Sequence, residues 1–288
     1  MHTHGLAGSL QRVPATLLVM ISVISVQFGA AMARDLFPVV GPGGTVWLRL
    51  GVAILFLTLI FRPTIWRTFR SHPKIMTAFG MSIALSTLFF YIAVERIPLG
   101  IAISIEFLGP LIVAVANARH WRDRMWIVLA AASLATLIPD IGTNLDPLGI
   151  VAALVAGMFW GLYIVVSPKV GAVADEFDGL VVALIIAWFI MLIPGISQGG
   201  MALLQPDILW QSLLMGLAAA VVPFTCEFSA LQRIPARVYG VLVCTEPIAG
   251  TIIGFIVLNE MLSLQALFAV IGVTIAAVGA TLSNKENV

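Results

Sequence analysis

The chain has 288 residues, of which 60% are hydrophobic and 10% are charged, and its formal net charge is +1. Soluble domains carry about 25% charged and about 45 to 50% apolar residues, so this composition excludes a single water-soluble domain. A mean hydropathy of +1.08 instead indicates a polytopic membrane protein.

Apolar runs long enough to cross a hydrocarbon layer of about 30 Å as helices recur along the chain. We predict such spans near residues 14–33, 44–61, 75–94, 98–118, 125–139, 148–167, 179–198, 209–231, 238–258 and 262–282. Pro, Gly and charged residues mark most junctions, and no junction is long enough to hold a soluble domain. The predicted fold class is therefore an all-α polytopic membrane protein with ten transmembrane helices.

Lysine and arginine are concentrated in alternate junctions. One side of the predicted membrane collects twelve of them, and the other collects Arg34 and Arg96. Cytoplasmic loops carry the excess of these residues, so both termini are predicted to be cytoplasmic. Topology alone explains the basic loops, and no nucleic-acid partner is expected.

Two local features are interpreted as structural. The stretch "AMA" at 31–33 resembles a signal-peptidase site, but the apolar run before it has about 19 residues, longer than a usual signal h-region, so we expect no cleavage. Cys226 and Cys244 lie in apolar runs without metal-ligand or disulfide spacing. Both cysteines are predicted to be small packing residues.

The chain also contains an internal repeat. "FFYIAVERIP" at 89–98 matches "CEFSALQRIP" at 226–235, and the same offset places Pro110 on Pro247. A repeat of five helices crosses the membrane an odd number of times, so its second copy enters upside down. Such inverted repeats are a transporter architecture with the substrate site near the midplane. We predict one repeat over 1–142 and an inverted repeat over 143–288.

Four charged side chains fall within the predicted spans: Arg49, Glu106, Glu227 and Glu246. A charge at a helix centre costs about 2.5 to 3.5 kcal/mol on insertion scales, so each is a candidate for binding substrate or protons. The alternative for Glu106 and Glu246 is a buried carboxylate that is protonated or hydrogen-bonded to a neighbouring helix and so holds the bundle in register. Glu227 and Arg49 lie near the membrane surfaces, where their side chains can snorkel instead.

Small residues and prolines follow two of the glutamates. Gly109 and Pro110 come after the first, and Pro247 and Gly250 come after the last. Proline withholds an N–H and leaves a carbonyl one turn earlier available to a ligand. We therefore predict helix breaks or gating at these positions.

Amide and aromatic side chains complete the candidate site. Gln27 is polar at depth and either lines a cavity or makes an interhelical hydrogen bond. Trp160 and Tyr163 lie in or beside "GMFWG" at 157–161, a motif that favours close helix packing, although both rings could face a cavity. Tyr91, in the repeated segment, is a further candidate.

Catalytic motifs are missing from the spans. The four histidines, His2, His4, His72 and His120, fall in the tail or in predicted cytoplasmic loops, so no Ser/His pair or histidine metal site can form at depth. No phosphate-binding loop of the Walker type occurs. We expect neither an enzyme nor a metal or cofactor.

The segments "VERIPLGIAISIEFLGPL", "FWGLYIV", "LQRIPARVYGVLVCTEP" and "LNEMLSLQALFAVIGVTIAAVGATL" resemble the EamA branch of the drug/metabolite transporter superfamily. Within it they are most similar to the bacterial threonine/homoserine exporters, which have glutamates where this chain has its three.

This resemblance implies an inner-membrane antiporter that exports small amino acids by proton-coupled alternating access. Its expected partners are the substrate, protons and the lipid bilayer. A carrier of the same fold for another metabolite or drug, or a membrane protein without transport activity, remains an alternative. The oligomeric state is not predicted.

Overall fold

The structure, a computed structural model, describes residues 13–116, 121–136, 145–174, 176–231, 233 and 242–283, and these are almost entirely helical. The α-helices are α1 (Ala15–Phe61), α2 (Ile65–Ser71), α3 (Pro73–Arg96), α4 (Leu99–Glu106), α5 (Leu108–Ala116), α6 (Trp121–Ala135), α7 (Pro147–Gly171), α8 (Glu176–Ile190), α9 (Leu192–Gly199), α10 (Pro206–Gly216), α11 (Val222–Leu231), α12 (Glu246–Leu258) and α13 (Leu264–Ser283). A 3₁₀ turn covers Gly200–Leu204, and a π-helical turn, Leu217–Val221, joins α10 to α11.

Several helices are long and apolar enough to cross a membrane. Among the described residues, four helical segments have the length and apolar composition of a membrane span: Ala15–Phe61, Pro73–Arg96, Pro147–Gly171 and Pro206–Glu227. Phe177–Ile190 and Leu192–Leu204 have that length and composition only when taken together, and a bend of 48° separates them. The all-helical membrane fold is thus confirmed, whereas the number of ten crossings stays a prediction.

The first two predicted spans form one 47-residue helix, α1, with a kink. Gly41 alone departs from helical geometry, with φ 66° and ψ 169°, a conformation that glycine adopts without steric cost. The Gly43 N–H after the kink donates to Gln198 Oε1 of α9 at 2.7 Å. The helices expected at 14–33 and 44–61 therefore occur as two helical segments on either side of the kink, which lies in the junction predicted between them.

Two other predicted spans are not continuous α-helices. The run at 98–118 is interrupted at Phe107, which separates α4 from α5, and the run at 209–231 contains the π-helical turn. π-helical turns occur often at functional sites. The sequence predicted a break near Pro110 but not the π-helical turn.

Helices of the two predicted repeats pack against each other throughout. The first-half helix α3 packs along α7 and α8, and α1 contacts α9, α10, α11 and α12. Helix α4 lies between α7 and α12. The predicted boundary at 142/143 lies outside the described residues, and the division into repeats stays a prediction.

The small-residue motif on α7 allows a close helix crossing. A Cβ built on Gly157 would lie 2.5 Å from the Glu106 carbonyl oxygen, and one on Gly161 would lie 3.4 Å from that of Gly109. The predicted packing role of "GMFWG" is confirmed. Cys226 and Cys244 are buried thiols, as predicted for packing residues.

One end of the bundle is held by ion pairs. Arg34 of α1 pairs with Glu260, whose second carboxylate oxygen accepts from the Leu99 N–H at the start of α4, at 2.9 Å. The same carboxylate therefore joins α1, α4 and the connection after α12. Arg34 lies on the side that the charge pattern predicts to be outside.

A second ion pair links the end of α3 to the start of α7. Arg96 Nη1 lies 2.8 Å from Asp146 Oδ2, and Asp146 Oδ1 accepts from the Leu148 N–H as the N-cap of α7. The hydrogen bond from Arg96 lowers the pKa of the Asp146 carboxyl.

Candidate functional site

The charged residues predicted within the membrane converge on one region. Glu246 lies close enough to Glu227 and Glu106 for their charges to interact. Glu106 is in turn close enough to Arg49 for their opposite charges to interact. We call Glu106, Glu227 and Glu246 the carboxylate cluster. Its members and Arg49 come from α4, α11, α12 and α1, so helices of both predicted repeats contribute.

Glu106 ends α4 at the break before Phe107, and its side chain is buried. Ser86 Oγ donates to Glu106 Oε1 at 3.4 Å. Pro110 has no N–H to donate to the carbonyl of Glu106, four residues earlier, which is the loss expected beside a helix break. The interruption is local, because Phe107 keeps right-handed helical torsion angles. The gating role of Pro110 stays a prediction.

Glu246 stands at the other break. It begins α12, where a negative charge interacts favourably with the positive end of the helix dipole. Pro247 lies in the first turn, where helical N–H groups have no intrahelical partner, so it does not interrupt α12. The discontinuity instead precedes it at Cys244 and Thr245.

Arg49 points into the bundle. Its Nη2 donates to the Ala219 carbonyl at 2.8 Å, and its Nη1 donates to the hydroxyl of Tyr91 at 3.3 Å. The guanidinium carbon lies 5.6 Å from the centre of the Tyr91 ring, within cation–π range. Tyr91 is fully buried, so the snorkelling alternative for Arg49 is wrong.

The π-helical turn supplies backbone acceptors at this point. Its Ala219 carbonyl binds Arg49, and its Ala218 carbonyl accepts from Ser25 Oγ at 2.7 Å. A Cβ built on Gly29 would lie 2.6 Å from Ala219 N, so α1 needs a glycine to approach the turn. Nothing in the local run "GLAAAVV" predicts this turn.

Glu227 is held from α1, since Ser22 Oγ donates to Glu227 Oε1 at 2.6 Å. Ser22, Ser25 and Ser86 were not predicted as site residues. The available signal was weak: each is a hydroxyl within an apolar run, and such hydroxyls commonly bond to their own helix backbone.

The predicted amide lies beside the cluster. Gln27 is 3% exposed, and its Oε1 would lie 3.7 Å from a Cβ built on Gly250. Gly250 follows Glu246 by one helical turn on α12. The structure thus places Gln27 and Gly250 together, one turn from a cluster carboxylate.

The other predicted aromatic residues have packing contacts. The Trp160 ring meets Phe107 edge-on at 5.3 Å, and Tyr163 stacks on Phe79 of α3 at 5.0 Å. Trp160 therefore supports the break that follows Glu106. Among the described residues, no group of three or more His, Cys, Asp or Glu side chains is arranged to hold a metal ion.

Several known proteins are similar to this chain. The model of the EamA-like transporter family matches residues 147–283. Threonine/homoserine exporter RhtA of Escherichia coli strain K12 is 34% identical over 291 residues, covering 97% of this chain and 96% of the exporter. The chain belongs to the EamA-like transporter family. The resemblance seen in the sequence is confirmed, and the family marks the chain as a transmembrane transporter.

Two further comparisons extend the match. Threonine/homoserine exporter RhtA of Salmonella typhimurium strain LT2 is 35% identical over 290 residues, covering 97% of this chain and 96% of the exporter. A protein of known crystal structure shares the fold with a TM-score of 0.62 at 15% identity, covering 94% of this chain and 98% of its own. At that identity the likeness supports the family fold alone.

Proposed function

We propose that this EamA-family chain is a secondary active transporter that exports small amino acids of the threonine/homoserine type across a bacterial inner membrane. Export is coupled to protons by alternating access. The observation that carries the proposal is the convergence of three carboxylates and Arg49 from helices of both halves. The similarity to the two RhtA exporters supports the substrate class.

The chemistry of an amino acid fits this arrangement. Its ammonium group needs acceptors, which Glu106 and Glu246 supply, and its carboxylate needs a donor, which Arg49 supplies. A proton and an ammonium group compete for the same carboxylate. Because only one of them binds at a time, that competition is sufficient to exchange protons for substrate.

The interruptions in two helices support a substrate site between inverted repeats. Discontinuous helices at corresponding positions of two repeats indicate such a site. The breaks before Leu108 and before Glu246 lie near Pro110 and Pro247, which the repeat offset superimposes. In the proposed architecture ten spans form repeats 1–142 and 143–288, with both termini cytoplasmic.

The test is proton-driven transport by purified protein in proteoliposomes, with and without an imposed pH gradient. Glu106→Gln keeps the side-chain shape and removes its titration, so we expect it to abolish proton-driven export while the protein still inserts. Glu246→Gln should reduce export less completely. Glu95→Gln is the matched control, because Glu95 is exposed at the end of α3 and should transport normally.

Two outcomes would contradict parts of the proposal. A Glu106→Gln protein with the parental rate and unchanged pH dependence would make that carboxylate structural. If the wild type moves a nucleoside or an organic cation but no amino acid, the same fold carries another solute and the substrate assignment is wrong.

A further inference from the structure

The amide of Gln27 is buried without a hydrogen-bond partner among the residues that the structure describes, although the side chain is only 3% exposed. Its nitrogen and oxygen are not among the fully enclosed unpaired atoms, which belong to Trp47, Thr58 and Ser212. Both atoms therefore keep some accessible surface. A buried polar group in that condition is costly unless something else pairs with it.

The position of this amide relates it to the carboxylate cluster. Gly250, beside the Gln27 oxygen, lies four residues after Glu246 on α12 and so on the same face of that helix. One helical turn of about 5.4 Å separates the two levels. That separation is comparable to the length of a small amino acid whose ammonium lies at the cluster.

The residues around the Gln27 amide restrict which substrate groups can pair with it. A side chain at Gly250 would collide with Ile103, so this apolar residue of α4 fills the position next to Gly250 and lies beside the amide. A carboxamide offers donors and an acceptor, and a hydroxyl group likewise donates and accepts. A hydroxyl can therefore pair with Gln27 in both directions, whereas a methyl group in its place leaves the amide unpaired.

We infer that Gln27 recognises the side-chain hydroxyl of the transported amino acid and so sets specificity for hydroxylated substrates. The inference rests on the proposed amino-acid export. Sites built to pair with a hydroxyl discriminate strongly against the analogue that lacks it, because their own polar groups are left unpaired.

The experiment is competition against labelled homoserine in proteoliposomes, with two pairs that differ at the hydroxyl: homoserine with norvaline, and threonine with valine. We expect the wild type to prefer the hydroxylated member by at least about tenfold. Gln27→Met, which removes the amide at similar volume, should bring the preference close to unity without weakening norvaline. Gln211→Met is the matched control, because Gln211 is exposed on α10, and it should keep the full preference.

Other outcomes overturn the inference. If norvaline and homoserine compete equally in the wild type, the role inferred for Gln27 is refuted without any variant. That result does not contradict amino-acid export. Retention of the preference in Gln27→Met also refutes the inferred role. If that variant does not insert, Gln27→Asn shortens the side chain by one carbon and should show a partial loss of preference; an unchanged preference refutes the role. A wild type that moves no amino acid refutes the proposed function and this inference together.

Discussion

The crossing of α7 over the break between α4 and α5 makes Gly157 sensitive to a single methyl group. A Cβ there would lie 2.5 Å from the Glu106 carbonyl oxygen, whereas ordinary van der Waals contact begins at 3.4 Å. Gly157→Ala must therefore separate the two backbones by about 0.9 Å, because a rotamer change cannot move a backbone oxygen. Overpacking of this kind costs about 1 to 3 kcal/mol.

The functional effect follows from the identity of the displaced residue. Glu106 moves with its own carbonyl, and in enzymes a 1 Å misplacement of a critical group costs about 10²-fold in rate. We expect Gly157→Ala to lose at least about tenfold in homoserine exchange. Its melting temperature, followed by tryptophan fluorescence of the purified protein, should also fall.

A second glycine on the same helix provides the control. A Cβ built on Gly171 meets nothing within 4 Å. Gly171→Ala should therefore keep the transport rate, and its melting temperature should stay equal or rise, since alanine favours a helix by about 1 kcal/mol over glycine. If Gly157→Ala matches Gly171→Ala in both measurements, the tight crossing does not position Glu106 and the reasoning is refuted.

Three other results are expected. Glu260→Gln removes the ion pair with Arg34 and should lower stability by about 1.5 kcal/mol in chemical denaturation; no coupling in a double-mutant cycle with Arg34→Gln would contradict this. The lowered pKa of Asp146 implies a contribution to stability that is present above its unfolded pKa, about 3.9, and lost as pH falls through the lower folded value. The melting temperature of wild type should thus fall more than that of Asp146→Asn below about pH 4, whereas parallel profiles there would count against the pair. A cysteine at Asn144, outside the described residues, should label from the periplasm and one at Ser71 should not; reversed labelling contradicts the topology.

The charged members of the site were predictable from the sequence for an energetic reason. Glu106, Glu227, Glu246 and Arg49 each interrupt an apolar run, and such residues in a membrane span generally face the bundle interior and serve function. Close packing was predictable from glycine spacing on α7 for a similar reason, because only small residues let backbones approach. Both predictions depend on the chemistry of single residues, which the sequence displays directly.

The kink at Gly41 lies in the junction predicted between two spans, whereas the π-helical turn was not predictable, because a contact distant in the chain accompanies it. Its Ala219 carbonyl accepts from Arg49, 170 residues away. Local propensity and hydrophobic periodicity do not predict contacts between residues that are far apart in the chain. The inward direction of Arg49 was undecided for the same reason, since it depends on Tyr91 and on that carbonyl.

Under the proposed function, the pairing of charges in the site explains why the transporter exchanges ligands instead of returning without one. Three carboxylates share the region with Arg49, and an uncompensated charge in a low-dielectric interior is strongly unfavourable. A proton neutralises one carboxylate. An amino-acid zwitterion leaves the net charge unchanged, but its ammonium pairs with a carboxylate of the cluster and its own carboxylate pairs with Arg49. A ligand shifts a conformational equilibrium only by its differential affinity for the two states. Exchange is therefore favoured over leak because the unloaded carrier has to take a carboxylate with neither a proton nor an ammonium group through the closed intermediate.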